Sequence, residues 1–278
     1  MRYFLAFFFV LGLHLSCFSQ TITGTVREKG SGLPLPYANV FVNNTTIGSA
    51  TDAAGRFRIS GEFSTDIELV ASFVGYVTEV KAISFRKKGE VQVDFDLAFN
   101  ESNLSEIELK ANRDKSWDRE FRRFEEVFLA LPDDPYLKQV KIENPWVLEF
   151  ENIKPKKGPN YLQASAGQPL KITNEALGYK IDYYLQDFRL VRNGSMFYGQ
   201  VFYSPTVSSV PAQVKDWEAN REASYQSSLR HFNYSLLINS PDSLHFKVFR
   251  TPPEQLGRVR TNDFNEELEE SIYPISLD

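Results

Sequence analysis

The sequence predicts a mainly β protein: an antiparallel β-sandwich followed by an α+β region that carries two amphipathic helices. Three observations lead there. From Thr21 to about Ala111 apolar residues alternate with polar ones at period two, and turn-forming residues recur every 8–12 positions or so. Residues 112–134 and 214–237 instead space their aromatic and aliphatic residues as a helix face does. Between those two stretches, residues 145–205 return to short alternating segments parted by Gly, Pro or Asn.

The first element is a leader. In MRYFLAFFFVLGLHLSCFSQ, Arg2 supplies the positive end, Phe4 to Leu13 the apolar core, and Ser19 with Cys17 the small residues a signal peptidase reads. The apolar run is shorter than the roughly 20 residues a spanning helix needs. Residues 1–19 are therefore expected to be a signal peptide. Lipidation at Cys17 ranks second, because Leu15–Ser16–Cys17 is a partial lipobox with His14 at a position where an aliphatic residue is usual. Cys17 is the chain's single cysteine, so no disulfide is expected after cleavage. The product is expected outside the cytoplasm, soluble or peripheral to a membrane.

Residues 20–111 read as the sandwich. Ile22, Gly24 and Val26 share a face, as do Ala38, Val40 and Val42, then Phe57 and Ile59, then Ile67, Leu69, Ala71 and Phe73. Val91, Val93, Phe95 and Leu97 come next, and Ile107 with Leu109 closes the series. In the first helical stretch Trp117, Phe121, Phe124, Phe128 and Leu131 form the apolar stripe, with Glu120 among the charged residues opposite, and Pro132 to Pro135 stops it. Five strands are expected between Pro145 and Pro205. Arg192–Asn193–Gly194–Ser195 is read as an Asn-Gly hairpin with positive φ. Trp217, Tyr225, Leu229, Phe232 and Leu236 then mark one further helix, LHFKVFRTP a last strand, and DFNEELEES a solvated acidic run. Residues 112–278 are thus expected to be one α+β domain.

The segments Ile22–Thr23–Gly24–Thr25–Val26 and Gly32–Leu33–Pro34–Leu35–Pro36–Tyr37–Ala38–Asn39–Val40 resemble the carboxypeptidase regulatory-like domain. So do Gly48, Thr51–Asp52, Gly55–Arg56–Phe57 and Phe73–Val74–Gly75–Tyr76. The resemblance implies a small transthyretin-like β-sandwich without catalysis of its own, in the form common in exported proteins of Gram-negative envelopes. Such modules accompany metallocarboxypeptidases, outer-membrane receptors and many uncharacterised exported proteins. The later region is similar to the segment C-terminal to this module in one group of exported proteins, through Asn144–Pro145, Leu177–Gly178–Tyr179, Trp217, Arg221, Tyr225 and His231. Relatives are expected to continue beyond residue 278, which would make the second domain a truncated form.

Little in the sequence is catalytic. Lys and Arg number 31 against 36 Asp and Glu, a net charge of −5, which argues against a nucleic-acid partner. The basic clusters Arg86–Lys87–Lys88 and Lys154 to Lys157 read as solvated loop tips. His231 and His245 are the histidines beyond the leader, and Tyr234 and Val248 stand where a His–x–x–Glu zinc motif needs its acid. Gly194–Ser195 lacks the spacing of a nucleophile elbow. Ser228 and His231, three apart on a helix, are read as packing or capping rather than as a nucleophile and base. The carboxylate pairs Asp94/Asp96, Glu149/Glu151 and Glu266/Glu267 read as solvent-facing or unplaced. No phosphate loop occurs, and no metal or other cofactor is indicated.

Two features are left. TIGSATDAAGRFRIS is read as a hairpin turn in which Asp52 accepts backbone hydrogen bonds, Gly55 takes positive φ and Phe57 returns to the core. It fits neither a calcium loop nor a phosphate loop. Tyr183–Tyr184, Phe197–Tyr198 and Phe202–Tyr203 put an aromatic on both faces of their strands, so Tyr183, Tyr184, Tyr198 and Tyr203 are the candidate binding surface. The competing reading has a helix covering one face and the N-terminal domain the other, and it is preferred. The expected function is a non-enzymatic interaction protein of a bacterial envelope, periplasmic or at the outer membrane, with an envelope protein or a glycan as partner. A carbohydrate-binding accessory of a glycan-uptake system is the alternative, and a hydrolase of unrecognised type the third. Oligomeric state does not follow from the sequence.

Overall fold

The structure, a computed structural model, describes residues 20–63, 66–85, 89–100, 115–129, 139–226, 228–240, 244, 246, 249–250 and 273–274. The leader with Cys17, Arg86 to Lys88, Ile107, Leu109, Leu131, His245 and the acidic run with Glu266/Glu267 lie outside the described residues. The chain divides into two compact units, residues 1–207 and 208–278.

The fold is mainly β, with a sandwich first and helices added later, as the sequence predicts. Strands β1 (Gln20–Glu28), β2 (Asn39–Val42), β3 (Gly48–Ala50), β4 (Arg56–Gly61), β5 (Asp66–Ser72), β6 (Glu79–Ser84), β7 (Glu90–Gln92) and β8 (Phe95–Leu97) build two facing sheets. One sheet runs β3-β2-β5-β6; the other runs β4-β1-β7, with β8 also on β1. Ile22, Val26, Val40, Val42, Phe57, Ile59, Leu69, Ala71, Phe95 and Leu97 interdigitate between them. These are alternation partners read from the sequence, because only one face of each strand meets the facing sheet.

One pairing departs from the antiparallel expectation: β1 runs parallel to both β7 and β8. The two short strands are halves of one, broken where β1 carries Gly24. A Cβ there would lie 1.8 Å from the Val93 carbonyl oxygen, so only glycine admits this approach. Asp94 repairs the gap. Its Oδ1 accepts from both the N–H and the hydroxyl of Thr25, each at 2.8 Å. Asp94 is exposed, on the solvent face as read from the sequence, and its carboxylate there also replaces a missing rung of the ladder. These bonds, the Thr25 hydroxyl first, hold the Asp94 carboxyl below its ordinary value.

The second sheet contains β9 (Val140–Ile142), β10 (Leu148–Ile153), β11 (Tyr161–Ala166), β12 (Leu170–Asn174), β13 (Tyr179–Val191) and β14 (Gly194–Pro205). All its pairings are antiparallel, and β13 is the hub. Strand β14 lies along one side of β13, while β12 and β11 share the other side. Helix α1 (Lys115–Phe128) covers one face, inserting Phe124 among Phe150 and Phe188, with ring centroids 4.7 Å apart for Phe124 and Phe188. Trp117 stacks on Phe121 at 5.1 Å, and its Nε1–H donates to the Leu148 carbonyl.

Two expectations fail here for identifiable reasons. Glu120, placed on the polar side of α1, is buried, because Arg119 and Arg123 clamp its two oxygens at 2.9 and 2.5 Å and satisfy the charge. The β13–β14 hairpin closes Val191 on Gly194, so its tip is Arg192–Asn193 rather than Asn193–Gly194, and no positive φ occurs there. Ladder register sets the tip: Phe188 and Leu190 must face α1 with Phe197 opposite Phe188.

In the second unit the single predicted helix is two, α2 (Pro211–Gln226) and α3 (Leu229–Leu237). Ser228 ends the continuity. Its hydroxyl accepts from the His231 N–H at 3.1 Å, an N-cap that starts a new helix. Trp217 is buried from α2, and His231 and Ser235 from α3. A two-stranded ladder pairs β15 (Phe249–Arg250) with β16 (Tyr273–Pro274).

Candidate functional site

The turn at Asp52 is built as a rigid corner. Asp52 Oδ1 accepts from the N–H groups of Ala54 and Arg56 at 2.9 and 2.8 Å, and Oδ2 meets the Arg56 guanidinium at 3.0 Å. The Arg56 backbone N–H does most to hold the Asp52 carboxyl below its ordinary value. Gly55 has φ +73°, and a Cβ there would lie 2.7 Å from the Val26 carbonyl oxygen. Phe57 then enters the core, 6.3 Å from the Phe95 ring. All oxygens of the Asp52 carboxylate are thus spent on the backbone and Arg56.

This corner also shapes the loop in front of β2. Buried Thr51 donates its hydroxyl to the Leu35 carbonyl at 2.6 Å and accepts from the Ala38 N–H at 2.9 Å. The Tyr37 N–H donates to the Thr51 carbonyl at 3.0 Å. Pinned on both sides, Tyr37 adopts φ +62°, a left-handed conformation that a bulky residue rarely takes, and its side chain is 74% exposed.

The sandwich then docks on the second sheet, within the first unit. Alternation sends Val40 and Val42 inward and Phe41 outward, where it is buried with Val70, Tyr184 and Phe202. Its ring lies 5.2 Å from Tyr184 and 5.1 Å from Phe202. Gly48 is small for the same reason, since a Cβ there would meet both Phe202 and Phe41 at 2.9 Å. The turn Asn43–Asn44–Thr45 bonds to β14: the Asn44 N–H to the Val201 carbonyl at 2.9 Å, and the Tyr203 N–H to the Thr45 carbonyl at 3.0 Å. The Val201 N–H adds a bond to Asn43 Oδ1 at 2.7 Å.

Beside this junction lies a crevice of about 240 Å³. The sandwich wall brings Tyr37, Asn39 and Tyr76; the sheet wall brings Gln168, Tyr184 and Gln186. Gln186 is there because β13 has a bulge between Leu185 and Asp187, which inserts one unpaired residue and turns its side chain aside. Among the described residues, the lining holds amides, hydroxyls, aromatic rings and apolar groups, and no carboxylate, imidazole or amine. Burial pushes the Tyr184 phenol up to about 12, with the Asp182 charge adding to it and bonds to Ser72 and Asn39 opposing it. It therefore presents a neutral O–H. The crevice can hold a neutral polar group, and none of its side chains is a general base at neutral pH.

The four candidate tyrosines separate by face. Tyr183 lies against α1, its ring edge-on to Phe128 at 4.9 Å, and burial raises its phenol to about 12. Tyr203 is partly buried on that same face, 5.9 Å from Tyr179, with its phenol also raised by burial. Tyr184, on the opposite face, is 5% exposed beneath the sandwich. Tyr198 shares that face beyond the sandwich and is 58% exposed. Helix on one side and N-terminal domain on the other is the covering arrangement weighed against an open platform. Ser228 caps a helix, and His231 Nδ1 lies 2.7 Å from the Gln226 carbonyl, with its ring 4.9 Å from Tyr225. No group of three or more His, Cys, Asp or Glu among the described residues could hold a metal ion. Sequence reasoning misses the crevice itself. The signals for it, Tyr37 and Phe73–Val74–Gly75–Tyr76, read in the sequence only as fold markers.

Residues 22–109 match the model of the CarboxypepD_reg-like domain. No curated protein matches the chain. Among solved structures, the chain is similar to a protein of unknown function, provisionally named membrane-associated, from Bacteroides fragilis NCTC 9343. That match is 12% identical over 69% of this chain and 84% of the other, with TM-score 0.24. A protein provisionally named carbohydrate-binding, from Bacteroides uniformis ATCC 8492, is 11% identical over 68% and 97%, with TM-score 0.23. A chain of a cohesin–X-dockerin complex from Acetivibrio cellulolyticus is 17% identical over 27% of this chain, with TM-score 0.23. The match spans about half of that chain, 52%.

Proposed function

We propose that this chain, which carries a carboxypeptidase regulatory-like domain, is a non-enzymatic interaction protein exported to a bacterial cell envelope, periplasmic or at the outer membrane. The crevice where the domain docks on the second sheet carries the reading. Its two walls come from different sheets, and each uses a local irregularity, Tyr37 at positive φ and Gln186 in a bulge, to bring a side chain there. Irregularities that cost stability and converge on one concave surface point to a binding role. Export is supported by the composition of residues 1–19. No helix of the described residues is long and apolar enough to cross a membrane, which says nothing of membrane strands.

The finer reading names the ligand as a neutral saccharide. Amides from Asn39, Gln168 and Gln186 offer paired donors and acceptors for hydroxyls, and Tyr37 offers an exposed ring to lie against a sugar face. A volume of about 240 Å³ is below the roughly 300 Å³ where drug-sized sites begin, and suits one residue of an oligomer. Calorimetry and array screening with neutral oligosaccharides test it, with Tyr37→Ala and Gln186→Ala as crevice variants. Binding that both variants abolish without unfolding is expected. Binding to extended peptides alone would replace the saccharide and keep the interaction reading. Turnover of glycoside or peptide libraries, lost in His231→Ala while the fold persists, would replace both with a hydrolase.

A further inference from the structure

Most polar side chains around the crevice are already engaged within the protein. Ser72 and Asn39 bond to the Tyr184 phenol, and the Thr78 hydroxyl donates to Ser72 Oγ at 3.2 Å. The Tyr76 hydroxyl donates to Glu28 Oε1 at 3.1 Å, so Tyr76 gives the crevice its ring. Gln168 and Gln186, on the sheet wall, differ: their carboxamides bond to no group among the described residues. Each offers a donor and an acceptor in one plane. The sandwich wall across from them brings Val74 and Val77, both exposed. Their loop is held in place. The Val77 N–H donates to the Ala98 carbonyl and the Asn100 N–H to the Gly75 carbonyl, both at 2.8 Å, and the Tyr76 ring meets Phe99 edge-on at 5.5 Å. Two valines are thus fixed in one wall while two unpaired carboxamides stand in the other.

We propose that the crevice selects the acetamido group of an N-acetylated sugar, an inference that rests on the saccharide reading above. The planar amide of that group donates its N–H to a glutamine Oε1 and accepts from the Nε2–H of the same side chain. Its methyl packs on Val74 and Val77 and takes their surface from water. A hydroxyl at the same sugar carbon would set a polar group against the valines instead. An extended peptide also carries amides, but it binds by adding a strand to an open sheet edge. The strands at the crevice have none. Strand β2 lies between β3 and β5, β5 between β2 and β6, and β13 has β14 on one side with β12 and β11 on the other.

Magnetic-resonance titration of the full chain with matched sugars tests this. The probes are the methyl β-glycosides of glucose and galactose, each beside its 2-acetamido counterpart. In at least one pair the acetamido member is expected to bind about tenfold or more tighter. Saturation transferred from the protein is expected to be strongest on its acetyl methyl. Val74→Ser combined with Val77→Ser should bring the ratio close to one at an unchanged melting temperature. Equal binding within both pairs, or a preference that survives the double variant, overturns the acetamido assignment and leaves the saccharide reading standing. Saturation strongest on the ring protons overturns it as well, and that readout needs no variant. Failure of all four sugars to bind also overturns it, and takes the saccharide reading with it only if the neutral oligosaccharides fail too. An N-acetylated peptide that binds where the sugars do not would give the amide to a peptide and overturn it.

Discussion

Phe41 and Tyr184 stack with ring centroids 5.2 Å apart and planes 28° from parallel, and they belong to different sheets. This contact makes the sandwich and the second sheet one mechanical piece. Phe41→Ala is expected to cost about 3–5 kcal/mol, as for other fully buried aromatic truncations. Urea unfolding measures it. A loss below about 1 kcal/mol would mean that the junction contributes little.

Tyr37→Gly separates stability from binding. Glycine takes positive φ without strain, so stability should hold within about 1 kcal/mol. Binding at the crevice should fall, because the exposed ring is gone. Melting temperature and calorimetric affinity, read on the same sample, decide whether the strain serves a ligand.

Gly55→Val forces a left-handed β-branched residue and brings its Cβ within 2.7 Å of the Val26 carbonyl oxygen. The conformational cost alone is about 1–2 kcal/mol, and the crowding adds to it. A lowered melting temperature with binding retained in the folded fraction is expected. An unchanged melting temperature would contradict the rigid corner at this turn.

Acid should act through Glu120. Burial tends to raise its carboxyl, but the bonds from Arg119 and Arg123 prevail and hold it below its ordinary 4.5. Folding therefore favours the charged form. Its contribution is full above the unfolded value and is lost as pH falls through the lowered folded one. Glu120→Gln should cost about 1–3 kcal/mol at neutral pH. The gap to wild type should close below pH 4.5, the ordinary value, as calorimetry on either side of it would show.

Alkali should act through the buried phenols. Tyr183 and Tyr184 are both raised to about 12, against about 10 when unfolded. Folding favours the neutral form, so stability is full below about pH 10 and declines as pH rises through about 12. Phenolate absorbance should show a late step that coincides with loss of near-ultraviolet dichroism, and Tyr184→Phe should diminish it. Ionisation of every tyrosine at the ordinary value in the folded protein would contradict their burial.

The sandwich was legible because one face of each strand is dry and the other wet, which prints period two on the sequence. Phe41 shows where that logic stops: it lies on the wet face of β2 by periodicity, and only the presence of a second sheet dries it. Glu120 fails the same way, since a helix stripe is read from apolar residues and cannot register a carboxylate buried by its own arginines. The break at Ser228 was hidden because a capping serine and a mid-helix serine look alike until the next turn is placed. Val140–Ile142 carries a visible alternation, yet it is too short to stand out beside the proline-rich stretch before it. The crevice was illegible for a different reason. Its walls meet through contacts such as the bond from Val201 to Asn43, 158 positions apart.

The parallel place of β1 beside β8 has a consequence for how the chain acquires its shape. The first strand to leave a ribosome meets β4 early, but Thr25 bonds to Asp94, 69 positions later. Contacts of such long sequence separation slow folding, since the loop must close before any of them forms. Until residue 97 has emerged, the inner face of β1 lacks the Phe95 and Leu97 side chains that help seal it. Until then the newborn N-terminal segment exposes apolar surface that the finished sandwich buries, and an extended, chaperone-held conformation suits it until the last strands of the sandwich arrive.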